Sequence, residues 1–521
     1  MAAARPNFLF IVTDQHRADH TGFGGNEIVR TPNLDRLAAR SVRFERAIVA
    51  NPICMPNRAS IATGRLPSVH GTRTNGISLD WGAYTFMRRL RERGWHTAHF
   101  GKCHLQNMGI LRAARDALLR DAAPGEAVAT PWPAGWDEWE DQDRHKRERV
   151  EMPADYYGFQ EVDLVVEHSD FCSGHYYQWL LEQGVDPTTL QGQANALPFD
   201  AKSRQVWKTR VPAELYSTSY VTQRTVEYLE RRARAPEAPW LAFCSYPDPH
   251  HPFTPPGKYF EMYDPEKIPL PETFADPHAA SVPHLRRMLA SRGAQRTMIS
   301  PFAPTAEQFR QMAAAEYGMI SMIDDGVGAV LDSLERTGQS ARTFVIFTSD
   351  HGDVFGDHGL MLKGGMHYEG CVRVPLAIAG PGIEPARTHS LASSLDLAQT
   401  VLELAGTPAY HGMQGVSLVP LLANPGALVR DHVLIEEEQM ADLLGVGRAL
   451  RMRTLVTEDS RLTLYDGSDE GELFDLERDP RELDNLWSRL DARARRTEML
   501  ERLARLLMEY SDPSPKQKFV A

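Results

Sequence analysis

Cys54-Met55-Pro56-Asn57-Arg58 sets a thiol four residues before a guanidinium, at the start of a run, Ala59-Ser60-Ile61-Ala62, that reads as helix. Backbone N–H groups at a helix start point outward and favour an anion. This segment could therefore hold an anionic group beside a reactive side chain. A lone Cys is more often an inert core filler than a reagent, so the case rests on what else the chain supplies. Asp14 closes the apolar run at 8–12, where a carboxylate is either a hard-cation ligand or a turn residue, and Gln15 beside it offers an amide oxygen. Gly101-Lys102-Cys103-His104, Pro249-His250-His251-Pro252 and Ser349-Asp350-His351-Gly352-Asp353 each follow a predicted strand, and Leu362-Lys363-Gly364-Gly365 adds a second lysine. Carboxylates, imidazoles and fixed cations together could bind a metal and an anionic ester and move a proton.

The elements that must position these residues alternate. A buried strand is predicted at 7–13, and a helix follows Thr31 as N-cap with Pro32 at its first position. Residues 42–49 alternate like a strand, 84–93 are helical and end at Gly94, and 95–100 and 240–246 read as strands. A long amphipathic helix spans 306–336, strands follow at 343–348 and 374–379, and 396–405 is helical. This alternation predicts an α/β fold with a large, mostly parallel sheet covered by helices on both faces. Ligands of such sheets sit at the carboxyl ends of the strands, where the residues above fall. Residues 110–235, rich in Trp, Asp, Glu and Arg, break the pattern and read as insertions over the site. Past about 410 come short strands (433–436, 451–456, 462–465, 472–475) and a helix at 487–510. This predicts a catalytic domain over 1–410 and a smaller C-terminal α+β domain over 411–521 with a terminal tail.

The chain has 521 residues, with 57 Lys and Arg against 69 Asp and Glu, a net charge of −12. That balance argues against nucleic acid as a partner, since a phosphate backbone needs a basic surface. It leaves room for a small anionic ester held by local charge. The five cysteines (54, 103, 172, 244 and 371) are odd in number and scattered, with no zinc-ligand spacing, which predicts reduced thiols. The run at 8–12 is too short for a signal-peptide core, and no stretch approaches the roughly 20 apolar residues of a membrane span. The expected location is cytoplasmic, with no membrane partner.

C-x-P-x-R followed by A-S-x-x-T-G resembles the signature of the type I, formylglycine-dependent sulfatases of the alkaline phosphatase superfamily. A Cys-Arg thiolate loop is excluded, because its Arg would stand where Ser60 does. The resemblance covers nearly the whole chain outside 110–235 and implies an alkaline-phosphatase-like fold. It implies that Cys54 is converted by a formylglycine-generating enzyme to an aldehyde whose hydrated form is the nucleophile. Asp14, Gln15, Asp350, His351 and residue 54 would then hold one divalent metal. Arg58 would hold the diol, His104 would touch it, and Lys102 and Lys363 would bind the ester oxyanion. His250 would protonate the leaving group, His251 would support it, and Asn75 would reach the substrate. Most members carry an acid where this chain has Gln15, and several have Asn where it has His351. Both differences lie at the metal, for which Ca²⁺ or Mn²⁺ is expected and Mg²⁺ is an alternative. The implied activity is sulfate monoester hydrolysis of the arylsulfatase kind. The alternatives are a phosphonate monoester hydrolase or phosphodiesterase of the same superfamily, or an alkyl sulfatase of the choline-sulfate type. The chain is expected to form a homo-oligomer. Asp357-His358-Gly359-Leu360 reads as a solvated structural loop.

Overall fold

Residues 7–13 (Asn-Phe-Leu-Phe-Ile-Val-Thr) offer almost no position that prefers water. They form β1 (Asn7–Thr13), buried throughout, inside a nine-stranded sheet in the computed structural model, which describes residues 5–109 and 131–518. Successive side chains of a strand point to opposite faces, so a strand apolar at every position needs cover on both sides. Phe8, Phe10 and Val12 pack with Phe86, Leu90 and Leu397 on one face. Leu9 and Ile11 pack with Leu34, Ile323 and Val327 on the other.

The remaining strands of the catalytic region are β2 (Val42–Phe44), β3 (Ala47–Ile48), β4 (His96–Gly101), β5 (Glu161–Val166), β6 (Ser173–Gly174), β7 (Trp240–Ser245), β8 (Thr343–Ser349), β9 (Leu376–Ala379), β10 (Ala386–Thr388) and β11 (Ala392–Ser393). The large sheet has the order β10-β2-β9-β8-β1-β7-β4-β5-β6, and β3 pairs with β11 apart from it. Only β9 and β6 run against their neighbours; β8, β1, β7, β4 and β5 are adjacent and parallel. The 42–49 run is two strands because Glu45 and Arg46 turn the chain from the large sheet to β11. β9 starts at Leu376 because Pro375 has no N–H to pair. The 31-residue helix Ala306–Arg336, opened by a capping box between Thr305 and Gln308, packs against the helix Ser217–Arg234.

Residues 110–130 of the expected insertion lie outside the described residues. Further along that stretch, β5 is a strand of the large sheet, and Ser217–Arg234 packs against β7 and β4. In the C-terminal part, β12 (His432–Glu438), β13 (Arg451–Thr457), β14 (Ser460–Tyr465) and β15 (Glu472–Asp475) form an antiparallel sheet. The helix Arg493–Glu509 covers it through Met499, Leu503 and Leu506. No helix among the described residues is long and apolar enough to cross a membrane.

Gly101 ends β4 at φ 107°, and a Cβ there would lie 1.9 Å from the Ser245 carbonyl oxygen of β7. Only a residue without a side chain lets the two strands close at the point where Lys102 leaves the sheet. Gly101→Ala is expected to lower stability by about 2–4 kcal/mol in urea unfolding. A loss below about 0.5 kcal/mol would contradict this close approach.

Candidate active site

The five adjacent parallel strands all end at one place. β1 delivers Asp14, β8 delivers Asp350 and His351, β4 delivers Lys102 and His104, and β7 leads to His250. β5 delivers Glu167 and His168, which sequence reading passed over. The rule that located the others, a polar run just past a strand, applies to Glu167-His168 as well. It was missed because the strand itself was read as insertion.

Cys54 enters on the helix Cys54–Thr63, all ten residues of which are buried. Its N-cap, Ile53, offers no side-chain acceptor, and Pro56 has no N–H to satisfy. The Met55 N–H donates to Asn75 Oδ1 at 3.1 Å. Asn75 thus caps the helix beside Cys54 through its side-chain carbonyl, which leaves its NH2 group outside that contact. Arg58, one turn on, shares the face of Cys54. It donates from Nε to Asp350 at 2.7 Å, from Nη2 to Asp14 at 3.1 Å, and from Nη1 to Ser245 Oγ at 3.0 Å and the Lys102 carbonyl at 2.7 Å. Four of the five guanidinium N–H groups are taken this way. Arg58 therefore ties strand ends together and keeps at most one donor for residue 54.

Lys102 is fully buried and donates to Asp14 and to His168 Nε2. Burial alone would raise the Asp14 carboxyl, but the Lys102 and Arg58 charges overcome it and hold the group well below the usual carboxylate range. Cys54 Sγ lies 3.1 Å from His351 Nε2 and 3.7 Å from Asp14 Oδ1. Burial first and the Asp14 carboxylate second push its thiol up to about 12. A thiol held protonated in this way is a poor nucleophile at neutral pH. Burial lowers His351 to about 4, so its imidazole is neutral.

On the far side Lys363 donates to His250 Nε2 at 2.7 Å and to Gln15 Oε1. Gln15 also accepts from His251 at 3.0 Å and donates to Asp353 at 2.6 Å. Its amide oxygen thus accepts from both Lys363 and His251, while its backbone N–H donates to Asp350 at 3.2 Å. Its φ of 61° and the 55° of His104 are left-handed, a strained choice for residues with a Cβ. His104 Nδ1 and His251 Nε2 are buried without a hydrogen-bond partner among the described residues. Burial, reinforced by Lys102 for His104 and by Lys363 for His251, keeps both imidazoles well below their ordinary value. These two imidazole nitrogens are therefore open to a group that enters the site. The Asp357–Leu360 loop is buried except at Asp357, which is half-buried: His358 stacks on Tyr368 at 3.7 Å and bonds Asp276 at 2.7 Å.

The donor set fits a divalent cation. Asp14, Cys54, Asp350 and His351 place one ligand atom each within 4.8 Å of one another, all buried. Two carboxylates with a neutral imidazole suit a hard to borderline ion.

A family model described as Sulfatase matches residues 6–407, and one described as N-sulphoglucosamine sulphohydrolase, C-terminal, matches residues 356–509. The choline-sulfatase of Rhizobium meliloti is 30% identical over 93% of this chain and 83% of its own length. The arylsulfatase of Clostridium perfringens is 28% identical over 92% of this chain and 90% of its own. The crystal structure of the phosphonate monoester hydrolase of Agrobacterium radiobacter superposes with a TM-score of 0.78 at 25% identity, covering 99% of this chain and 98% of that one. Strand-end carboxylates, a buried Cys-x-x-x-Arg helix and paired lysines, together with a family match over most of the length, lead to one assignment: the chain belongs to the sulfatase family.

Proposed function

We propose that this chain hydrolyses sulfate monoesters. The observation that carries the reading is the pair of lysines, Lys102 and Lys363, placed beside Cys54 with each ammonium seated on a histidine. A sulfate monoester carries one negative charge spread over three oxygens, and two fixed ammonium groups can neutralise and orient it. Residue 54 converted to formylglycine would supply an oxygen nucleophile, and a divalent metal on Asp14, Asp350 and His351 would supply positive charge beside the ester.

The chain's own groups account for the rest. Burial first, then the neighbouring His168 and the Lys363 charge, hold His250 well below its ordinary value, so Nε2 carries a lone pair in the resting site. The Lys363 ammonium donates into that lone pair. Lys363 keeps its charge in this pairing, and the Lys363–His250 pair is the hydrogen-bonded unit that would meet the departing oxygen. Asn75 and Arg58 fix the helix that carries residue 54 against the strand ends.

Phosphonate monoester hydrolysis is the second reading. It is favoured by Gln15 and His351, the two departures at the metal, and by the likeness to the Agrobacterium enzyme. Retention of Lys102 and His104 tips the balance to sulfate. The substrate panel should include choline sulfate, given the Rhizobium relative.

Three outcomes are expected. Peptide mass spectrometry of active protein should find an aldehyde at position 54, and Cys54→Ala should lose at least about 10³-fold in kcat. Active protein carrying only the thiol would overturn the nucleophile assignment. Treatment with a chelator should abolish turnover and lower the melting temperature, with Mn²⁺ or Ca²⁺ restoring both; unchanged activity after complete metal removal would refute the metal site. An aryl sulfate should exceed a phenyl phosphonate monoester in kcat/KM by at least about tenfold, and the opposite order would replace the first reading with the second.

A further inference from the structure

The two lysines are linked through a stacked pair of imidazoles. Lys363 donates to His250 Nε2, and Lys102 donates to His168 Nε2. The His168 and His250 rings lie 3.6 Å apart, within 16° of parallel. An ammonium group can only donate, so both Nε2 atoms accept and both ring protons sit on Nδ1. Each Nδ1–H has an acceptor suited to that tautomer: the His251 carbonyl at 2.5 Å for His250, and the Glu167 carboxylate at 2.9 Å for His168. Such partners on the far nitrogen set which face of an imidazole works.

The segment carrying His168 is held tightly. Glu167 and Ser169, on either side of it, adopt φ 74° and φ 51°, left-handed values that cost energy for residues with a Cβ. Ser169 Oγ donates to the His250 carbonyl at 2.7 Å, and Asp170 accepts from Trp207 Nε1 at 2.7 Å. The strained turn thus locks the His168 ring against His250 and on Lys102.

We propose that His168, oriented by Glu167, is a positioning residue. It holds the Lys102 ammonium at the anion and fixes the plane of His250, so the stacked pair sets the spacing of the two lysines. The proposal rests on the reading of Lys102 as an anion-binding group.

The test uses enzyme converted at residue 54 and loaded with metal. His168→Leu removes the acceptor, whereas His168→Gln places an amide oxygen near the position of Nε2. His168→Leu should lower kcat/KM for an aryl sulfate by about ten- to a hundredfold, and His168→Gln should recover most of it. In a Lys102→Met background the His168→Leu step should cost less than about twofold, because its partner is already gone. Calorimetric titration with inorganic sulfate should show weaker binding for His168→Leu than for His168→Gln. Equal losses in the two His168 variants, or an undiminished His168→Leu loss in the Lys102→Met background, would overturn the proposal. Failure of the wild type to turn over any sulfate ester would refute the functional reading, while the sulfate titration would still decide the role of His168.

Discussion

One guanidinium joins the carboxyl ends of four parallel strands. Arg58 donates to Asp14 beyond β1, to Asp350 beyond β8, to Ser245 at the end of β7 and to the Lys102 carbonyl beyond β4. A planar cation with five donors can make such a junction, and a lysine cannot. Two carboxylates and a guanidinium are taken out of water here together, and their mutual attraction offsets much of the desolvation of each. Removing the cation would leave two buried anions without it, a change of roughly 3–5 kcal/mol. The same contacts keep Asp14 ionised, and an ionised Asp14 in turn raises Lys102 against the burial that would lower it.

The charge pattern of the site follows from this junction. The fixed cations are Arg58, Lys102 and Lys363, and the imidazoles around them stay neutral. Burial is the main cause at His104, His168, His250 and His251, with neighbouring lysines or histidines adding to it. Neutral imidazoles can accept from the lysines, so they orient the cations without adding repulsion. The positive charge that can face an anion is concentrated at the two ammonium groups. The overall charge of −12 does not bear on it.

Much of the architecture is local in origin. Apolar runs at 7–13, 240–246 and 343–348 each make a buried strand, and Gly94 and Pro32 punctuate the helices where their backbone chemistry requires. The weaker strand, Glu161–Val166, carries Glu161 and Asp163 in its partly exposed first half, so its pattern does not read as a core strand. Its place beside β4 near the sheet edge is what makes those polar positions tolerable, and that place depends on contacts distant in the chain.

The sequence by itself determined which chemical groups stand at the strand ends, since strand periodicity and the residue after each strand are properties of a few consecutive positions. It also determined the Cys54–Arg58 spacing, which a helix turn converts into a shared face. Tertiary structure decided who meets whom. Gln15 turned to Lys363, 348 residues away, and Arg58 joined Asp350, 292 residues away. Asn75 became a cap, and His168 came to stack on His250. A polar side chain can satisfy its hydrogen bonds with many partners of the right kind, and only the packed chain selects among them.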